Sequence, residues 1–144
     1  MPMALKQPCY KSNRHFPLTT SQKEISIVGK SNMRILLIWA LFDNTVPGDE
    51  CMPTYYQAFK ENPESRFVIL NNTRHMFYME REEDTCKIIT NFLKDTNGGT
   101  ILERFERTTA GVSKQQPKKH LMTGTDQQKW NFFNEHQAFK QLII

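Results

Sequence analysis

Seven consecutive residues without a polar group other than an indole, Ile35-Leu36-Leu37-Ile38-Trp39-Ala40-Leu41, constrain this chain more than any other stretch. A half-solvated strand alternates apolar and polar side chains. An unbroken apolar run of this length is the pattern of a parallel strand whose sheet is covered by helices on both faces. The run ends in Asp43-Asn44-Thr45-Val46-Pro47, which reads as a turn. A buried strand that delivers a carboxylate to its own end is either stopping in solvent or presenting an acid at the mouth of a site.

The following residues supply the rest of a repeating unit. Gly48-Asp49 opens a helix with Asp49 as its N-cap. Pro53 falls near the first turn, where its missing N–H costs little. Cys51, Met52, Tyr55, Tyr56 and Phe59 recur at helical spacing as an apolar stripe, and Asn62-Pro63 stops the helix. Residues 65–70, Ser-Arg-Phe-Val-Ile-Leu, form a second short strand, and Asn71 to His75 form the loop after it. A second helix is expected from about Glu80 to Lys94. Acids at 80 and 82–84 favour its N-terminal end, and Cys86, Ile89 and Leu93, with Phe92 beside them, form its buried stripe. Asn97-Gly98-Gly99 ends it. Strand, helix, strand, helix with short connections makes a β-α-β-α unit, and right-handed crossover sets the strands parallel. Two strands alone leave long apolar edges open.

The flanks differ in character. Residues 1–33 precede the unit; 1–24 are polar, with Pro2, Pro8 and Pro17, and a helix is expected to open there, with Thr20 or Ser21 as cap and Glu24 as its capping-box acid. This segment reads as the end of a lid or a connection that began earlier. Residues 34–96 hold the α/β unit. Residues 97–144 read as a tail: a mobile polar stretch, then one helix from Thr125 to about Leu142, Thr125 and Gln128 having capping-box spacing.

Bulk properties exclude several classes. The chain carries 12 Lys and Arg against 11 Asp and Glu up to Thr96, and 7 against 4 from Asn97 onward. That mild excess, without a dense basic run or aromatic–basic interleaving, argues against nucleic acid. Cys9, Cys51 and Cys86 form no CxxC pair, so structural zinc is not expected, and three thiols suit a reducing compartment. Cys51 and Cys86 are expected in the core, and Cys9 has no His or acid in a recognisable frame around it. His15, His120 and His136 are isolated. No stretch approaches the ~20 apolar residues of a membrane span and no signal peptide opens the chain, so a cytoplasmic location is expected.

Asp43 follows the first strand and His75 follows the second. In parallel α/β sheets ligands collect outside the carboxyl ends of the strands. An Asp that accepts from imidazole Nδ1–H fixes the tautomer and stabilises the imidazolium, leaving the other ring nitrogen to take a proton from a nucleophile. The candidate catalytic residues are therefore Asp43 and His75.

Residues 35–94 resemble the C-terminal end of an α/β-hydrolase. The family's late strand reads apolar residues, Trp-Gly, two residues, Asp, then Pro shortly after; here Trp39-Ala40-Leu41-Phe42-Asp43 runs on to Pro47. The family's helix, strand, Gly-His loop, acids and closing Phe-Leu helix are matched by Arg74-His75, Glu80 to Asp84 and Phe92-Leu93. The resemblance implies a partial α/β-hydrolase fold, Asp43 as triad acid and His75 as triad base. It implies acyl transfer to water from a small ester or acyl substrate, with no metal or organic cofactor. Ala40 and Arg74 stand where the family has Gly. Arg74 would be strained if the position needs φ > 0, and it would place a cation beside the imidazole. The family's Gly-x-Ser-x-Gly elbow is absent: none of Ser12, Ser21, Ser26, Ser31, Ser65 and Ser113 has that frame. The expectation is a C-terminal portion of a serine hydrolase, inactive alone. The alternative is a non-catalytic truncated fragment or interaction protein, self-associating through its exposed sheet edge or the aromatic helix near Trp130.

Overall fold

The computed structural model describes residues 18–144. Along the chain run α1 (Leu18–Gly29), β1 (Ile35–Ala40), α2 (Gly48–Phe59), β2 (Ser65–Leu70), α3 (Phe77–Glu80), α4 (Glu82–Lys94), α5 (Ile101–Thr108), a 3-10 turn (Lys119–Leu121), α6 (Gly124–Glu135) and α7 (Gln137–Lys140). β1 and β2 are parallel, with Ile35 opposite Ser65 and Ala40 opposite Leu70. The mixed α/β class and the parallel pair are as the apolar runs predict.

Every residue of β2 is buried, whereas β1 is half-buried up to Ala40. The difference lies at the sheet edges. The last residues of the chain run beside β2: Ile69 N donates to Leu142 O at 2.9 Å, Ile144 N to Ile69 O at 2.9 Å and Asn71 N to Ile144 O at 2.8 Å. β2 is thus flanked on both sides, and among the described residues no strand pairs with the outer edge of β1. α2 packs on β1 and on α6, α5 packs on β2, and α4 packs on α5.

The region beyond Gly99 departs from the expected mobile tail. Thr100 caps α5 in a full capping box with Glu103, and α5 buries Phe105. Phe133, Phe139, Leu142, Ile143 and Ile144 join the same core as Leu41, Met52 and Phe67. A turn at 109–111 and the irregular residues 112–118 connect α5 to the 3-10 turn. The cap of α6 lies two residues earlier than expected: Thr123, with Asp126, forms the capping box in place of Thr125 and Gln128, and the helix breaks at His136. α2 likewise begins at Gly48 behind Pro47, so Asp49 lies in the first turn and is not the cap. α1 already includes Thr20 and Ser21, so neither is a cap.

The buried stripe of α4 is also displaced. Thr85 and Ile88 are buried and Phe92 is half-buried, while Cys86 is exposed, Ile89 is 42 % exposed and Leu93 is 65 % exposed. The cause is Arg81, which is buried and donates from Nη1 to Asn71 O at 3.2 Å and to Ile144 O at 2.7 Å. Positions 81, 85, 88 and 92 share one helix face, so anchoring Arg81 turns the apolar stripe one residue out of register. Cys51 is fully buried and disulfide-bonded, against the expectation of three thiols; Cys86 is a free, exposed thiol, not a core residue. Cys9 and His15 lie outside the described residues.

Opposite the strand ends that carry Asp43 and His75, arginines close the fold. Arg34 donates to Phe92 O and, at 2.7 Å, to Asp95 O, which are carbonyls at the C-terminal end of α4. Arg66, 1 % exposed, adds a 2.8 Å bond to Asp95 O, and Arg107 Nε bonds the Asp95 carboxylate at 2.8 Å. Burial pushes the Arg66 guanidinium below its usual range, although the Asp95 carboxylate opposes the shift. Cations at a helix C-terminus meet its orphaned carbonyls and the negative end of its dipole. No helix among the described residues is long and apolar enough to cross a membrane.

Candidate active site

β1 carries its pairing with β2 one step past the strand, Leu41 N donating to Leu70 O at 3.0 Å. Phe42 N then bonds Thr73 O at 3.0 Å, so the chain after β1 is stitched to the loop after β2. Asp43 sits at this seam, 6 % exposed. Its Oδ1 accepts from Thr45 N at 2.8 Å and from Val46 N at 2.9 Å, the local turn that an Asp favours. Trp39 Nε1 donates to Val46 O at 3.1 Å and fixes the far side of that turn. Oδ2 is left for a second partner.

That partner is His75, whose Nδ1 stands 3.0 Å from Asp43 Oδ2. With Asp43 ionised, this bond requires the proton on Nδ1, which leaves Nε2 as the acceptor. The imidazole is half-exposed while the carboxylate is buried. The two residues singled out in the sequence therefore meet. They border an open hollow of about 190 Å³ lined by Ile38, Trp39, Ala40, Asp43, Val46, His75 and Phe77. Three consecutive strand residues, 38–40, share that lining. Since β2 occupies the other side of β1, the hollow lies along the unpaired edge. A roomier hollow, about 640 Å³ between α1 and α2, is lined among the described residues by no titratable side chain.

The loop that carries His75 is built from its own side chains. Asn72 is the one non-glycine residue at positive φ among the described residues, at 58°, a conformation Asn tolerates. Thr73 Oγ1 bonds Leu70 O at 2.6 Å and holds the loop against the strand end. Arg74, where strain would follow from a left-handed backbone, has none to bear. Its guanidinium also points to a carboxylate: Nη1 donates to Asp126 Oδ1 at 2.9 Å and Nη2 to Asp126 Oδ2 at 2.7 Å. The Arg74 hydrogen bonds hold the Asp126 carboxyl below the usual carboxylate range. Asp126, 1 % exposed, gave no signal in the sequence beyond its place three residues after Thr123.

Among the described residues, no Ser, Thr or Cys lines the hollow beside His75. Ser31 and Ser65 use their hydroxyls on the carbonyls of Val28 and Asn62. No group of three or more His, Cys, Asp and Glu among the described residues is arranged to hold a metal ion. His136 stacks on Phe132, with centroids 4.3 Å apart. The arrangement can therefore orient an imidazole and move a proton at Nε2, and among the described residues no hydroxyl or thiol lines the hollow to give its proton to that base. No protein-family model, curated protein or solved structure matches this chain.

Proposed function

We propose that this chain supplies the acid–base half of an acyl-transfer site of the α/β-hydrolase type, the resemblance read in residues 35–94. Asp43 orients and His75 is the general base. The hydroxyl nucleophile comes from a polypeptide outside these 144 residues. In the first half-reaction Nε2 takes the nucleophile's proton as it attacks an acyl carbonyl. The imidazolium, stabilised by Asp43, then protonates the leaving oxygen, sulfur or nitrogen. Water repeats the cycle to release the acid. The observation that carries this reading is the division of labour within one carboxylate: Oδ1 is consumed by the turn and Oδ2 by Nδ1, so the bond to Asp43 leaves Nε2 free on a ring that borders a mostly apolar hollow.

Long-range ¹H–¹⁵N correlation spectra of His75 test it. The reading expects the neutral form of the ring to carry its proton on Nδ1, and loss of that tautomer preference in Asp43→Asn. An even tautomer mixture in the unmodified chain would refute the dyad. Purified 1–144 is expected to show no turnover of a chromogenic short-chain ester above background. Stoichiometric fluorophosphonate labelling of a Ser within this chain, abolished in His75→Ala, would overturn the external nucleophile.

A second reading, a non-catalytic interaction protein, is favoured by the absence of a hydroxyl or thiol among the described residues that line the hollow and by the packing of side chains from residues 101–144 into the core. It expects the dyad to be structural only, with no hydrolysis even when a nucleophile-bearing hydrolase half is co-expressed.

A further inference from the structure

The loop bearing His75 is held from outside the β-α-β-α unit. Asn71 Nδ2 donates to Gln115 O at 3.0 Å, and Asn72 Nδ2 donates to Gln115 Oε1 at 3.0 Å and to Gln116 O at 2.9 Å. Lys118 N donates back to Asn72 Oδ1 at 3.1 Å. The strongest tie is the bidentate pair between Arg74, adjacent to the base in sequence, and Asp126 on α6. Asp126 is itself fixed by the Thr123 capping box, Thr123 N reaching Oδ2 at 3.0 Å and Asp126 N reaching Thr123 Oγ1 at 3.2 Å. Arg74 N meanwhile donates to Glu80 Oε1 at 2.8 Å.

We propose that Asp126 is a positioning residue for His75: it holds the loop through Arg74 and neutralises the cation next to the imidazole. This rests on the reading of His75 as the base. A general base must become an imidazolium during the reaction. A free guanidinium one residue away opposes that charge, while one bound in a fork to a buried carboxylate does not. The charged groups around His75 are few. Asp43 faces it from the end of β1, Arg74 adjoins it in its own loop, and Glu80 lies on α3. Asp126 lies on α6, and Lys118 borders the 240 Å³ hollow that Arg74, Glu80 and Asp126 share. Among these, the Arg74–Asp126 pair alone couples the segment beyond Gly111 to the dyad by charge. The start of α6 and the polar strap 112–118 thereby acquire a role at the site that the strand-and-loop frame of residues 35–94 does not contain.

The test is the His75 protonation midpoint, read by ¹H–¹⁵N NMR on the intact chain. Asp126→Asn, nearly isosteric, frees the guanidinium and is expected to lower the midpoint by roughly half a unit to one unit, the effect of one unpaired charge in a solvated setting. Removing the cation as well, in Asp126→Asn with Arg74→Gln, is expected to restore the original midpoint. A purely structural Asp126 would not give that recovery. If Asp126→Asn alone does not fold, Arg74→Gln is compared with the double variant: the uncompensated carboxylate should raise the midpoint relative to the double. A folded Asp126→Asn chain that titrates as the unmodified one, a double variant shifted as far as the single, or no difference in the second comparison would each overturn the proposal. Failure of the dyad itself is seen separately, as a His75 tautomer insensitive to Asp43→Asn.

Discussion

Replacing Phe133 by Ala measures whether the C-terminal third is part of the fold or an appendage. Phe133 is fully buried. Its ring lies 5.3 Å from Phe132 and 5.8 Å from Phe139, centroid to centroid, both in edge-on contact. Its tip reaches Gly48 at the start of α2, where a Cβ would come within 2.9 Å of both Phe133 Cζ and Trp39 Cδ1. One ring thus joins α6, α7, the first turn of α2 and the tryptophan that braces the Asp43 turn. Loss of the ring forfeits about 2 kcal/mol of apolar transfer. The ~100 Å³ it vacates, at ~24 cal/mol per Å³, adds about 2 kcal/mol more. The expected loss is therefore about 4 kcal/mol, within the usual range for Phe→Ala in a core and large against a typical domain stability of roughly 5–15 kcal/mol. Urea unfolding followed by tryptophan fluorescence and far-ultraviolet circular dichroism gives the number, with Leu121→Ala, exposed on the 3-10 turn, as a control expected within about 0.5 kcal/mol of the unmodified chain. A loss under about 1 kcal/mol with a single transition would mean that residues 35–94 fold without α6. The packing account given for the site would then be wrong.

Gly48→Ala should cost about 1–3 kcal/mol, because the new methyl meets two rings that are rigid and confined; a shift in urea midpoint at unchanged slope checks it. Asp126 contributes to stability through a carboxyl pKa held below its unfolded value of about 3.9. That contribution is complete above the unfolded pKa and disappears as the pH falls through the folded one, so Asp126→Asn should flatten the acid limb of a stability–pH curve below about pH 4, and an unchanged limb would count against the ion pair. Limited trypsin digestion should cut first at Lys114 or Lys118 in the irregular 112–118 segment, whereas initial cutting inside α5 or α6 would contradict the order given to them.

What the sequence made legible were features carried by neighbours along the chain. The apolar run at 35–41 and the Ser65–Leu70 run were both readable as parallel strands. The Asp43 turn and the His75 loop follow from where those strands end, which is why their meeting at 3.0 Å was foreseeable. Features decided across the chain were not. The phase of α4 depends on Arg81 reaching Asn71 and Ile144, 10 and 63 residues away in sequence, and helical periodicity alone favoured the more apolar face. The order of residues 101–144 was hidden for a similar reason. Gly111 to Gln128 is polar because its contacts are hydrogen bonds to Asn71, Asn72 and Arg74, and a low content of apolar residues reads as mobility when the partners are remote. The Thr100 capping box was visible in the residues and was masked by the glycines before it.

The geometry of Asp43 bears on why such a pair can persist where no described residue brings a hydroxyl or thiol to the adjoining hollow. Two of its three hydrogen bonds are to backbone N–H groups of its own turn, and they would form with any residue at position 75. The carboxylate is therefore kept by the need to end β1 and enter α2, independent of chemistry. His75 is different. It is half-exposed and holds one hydrogen bond, and nothing in the packing of β2 or α3 requires an imidazole there. Local architecture accounts for the acid and leaves the base unexplained. His75→Ala should accordingly leave the urea midpoint within about 0.5 kcal/mol of the unmodified chain, as for a surface site. A loss above about 2 kcal/mol would make the imidazole structural, and the case for a base held ready at Nε2 would fall with it.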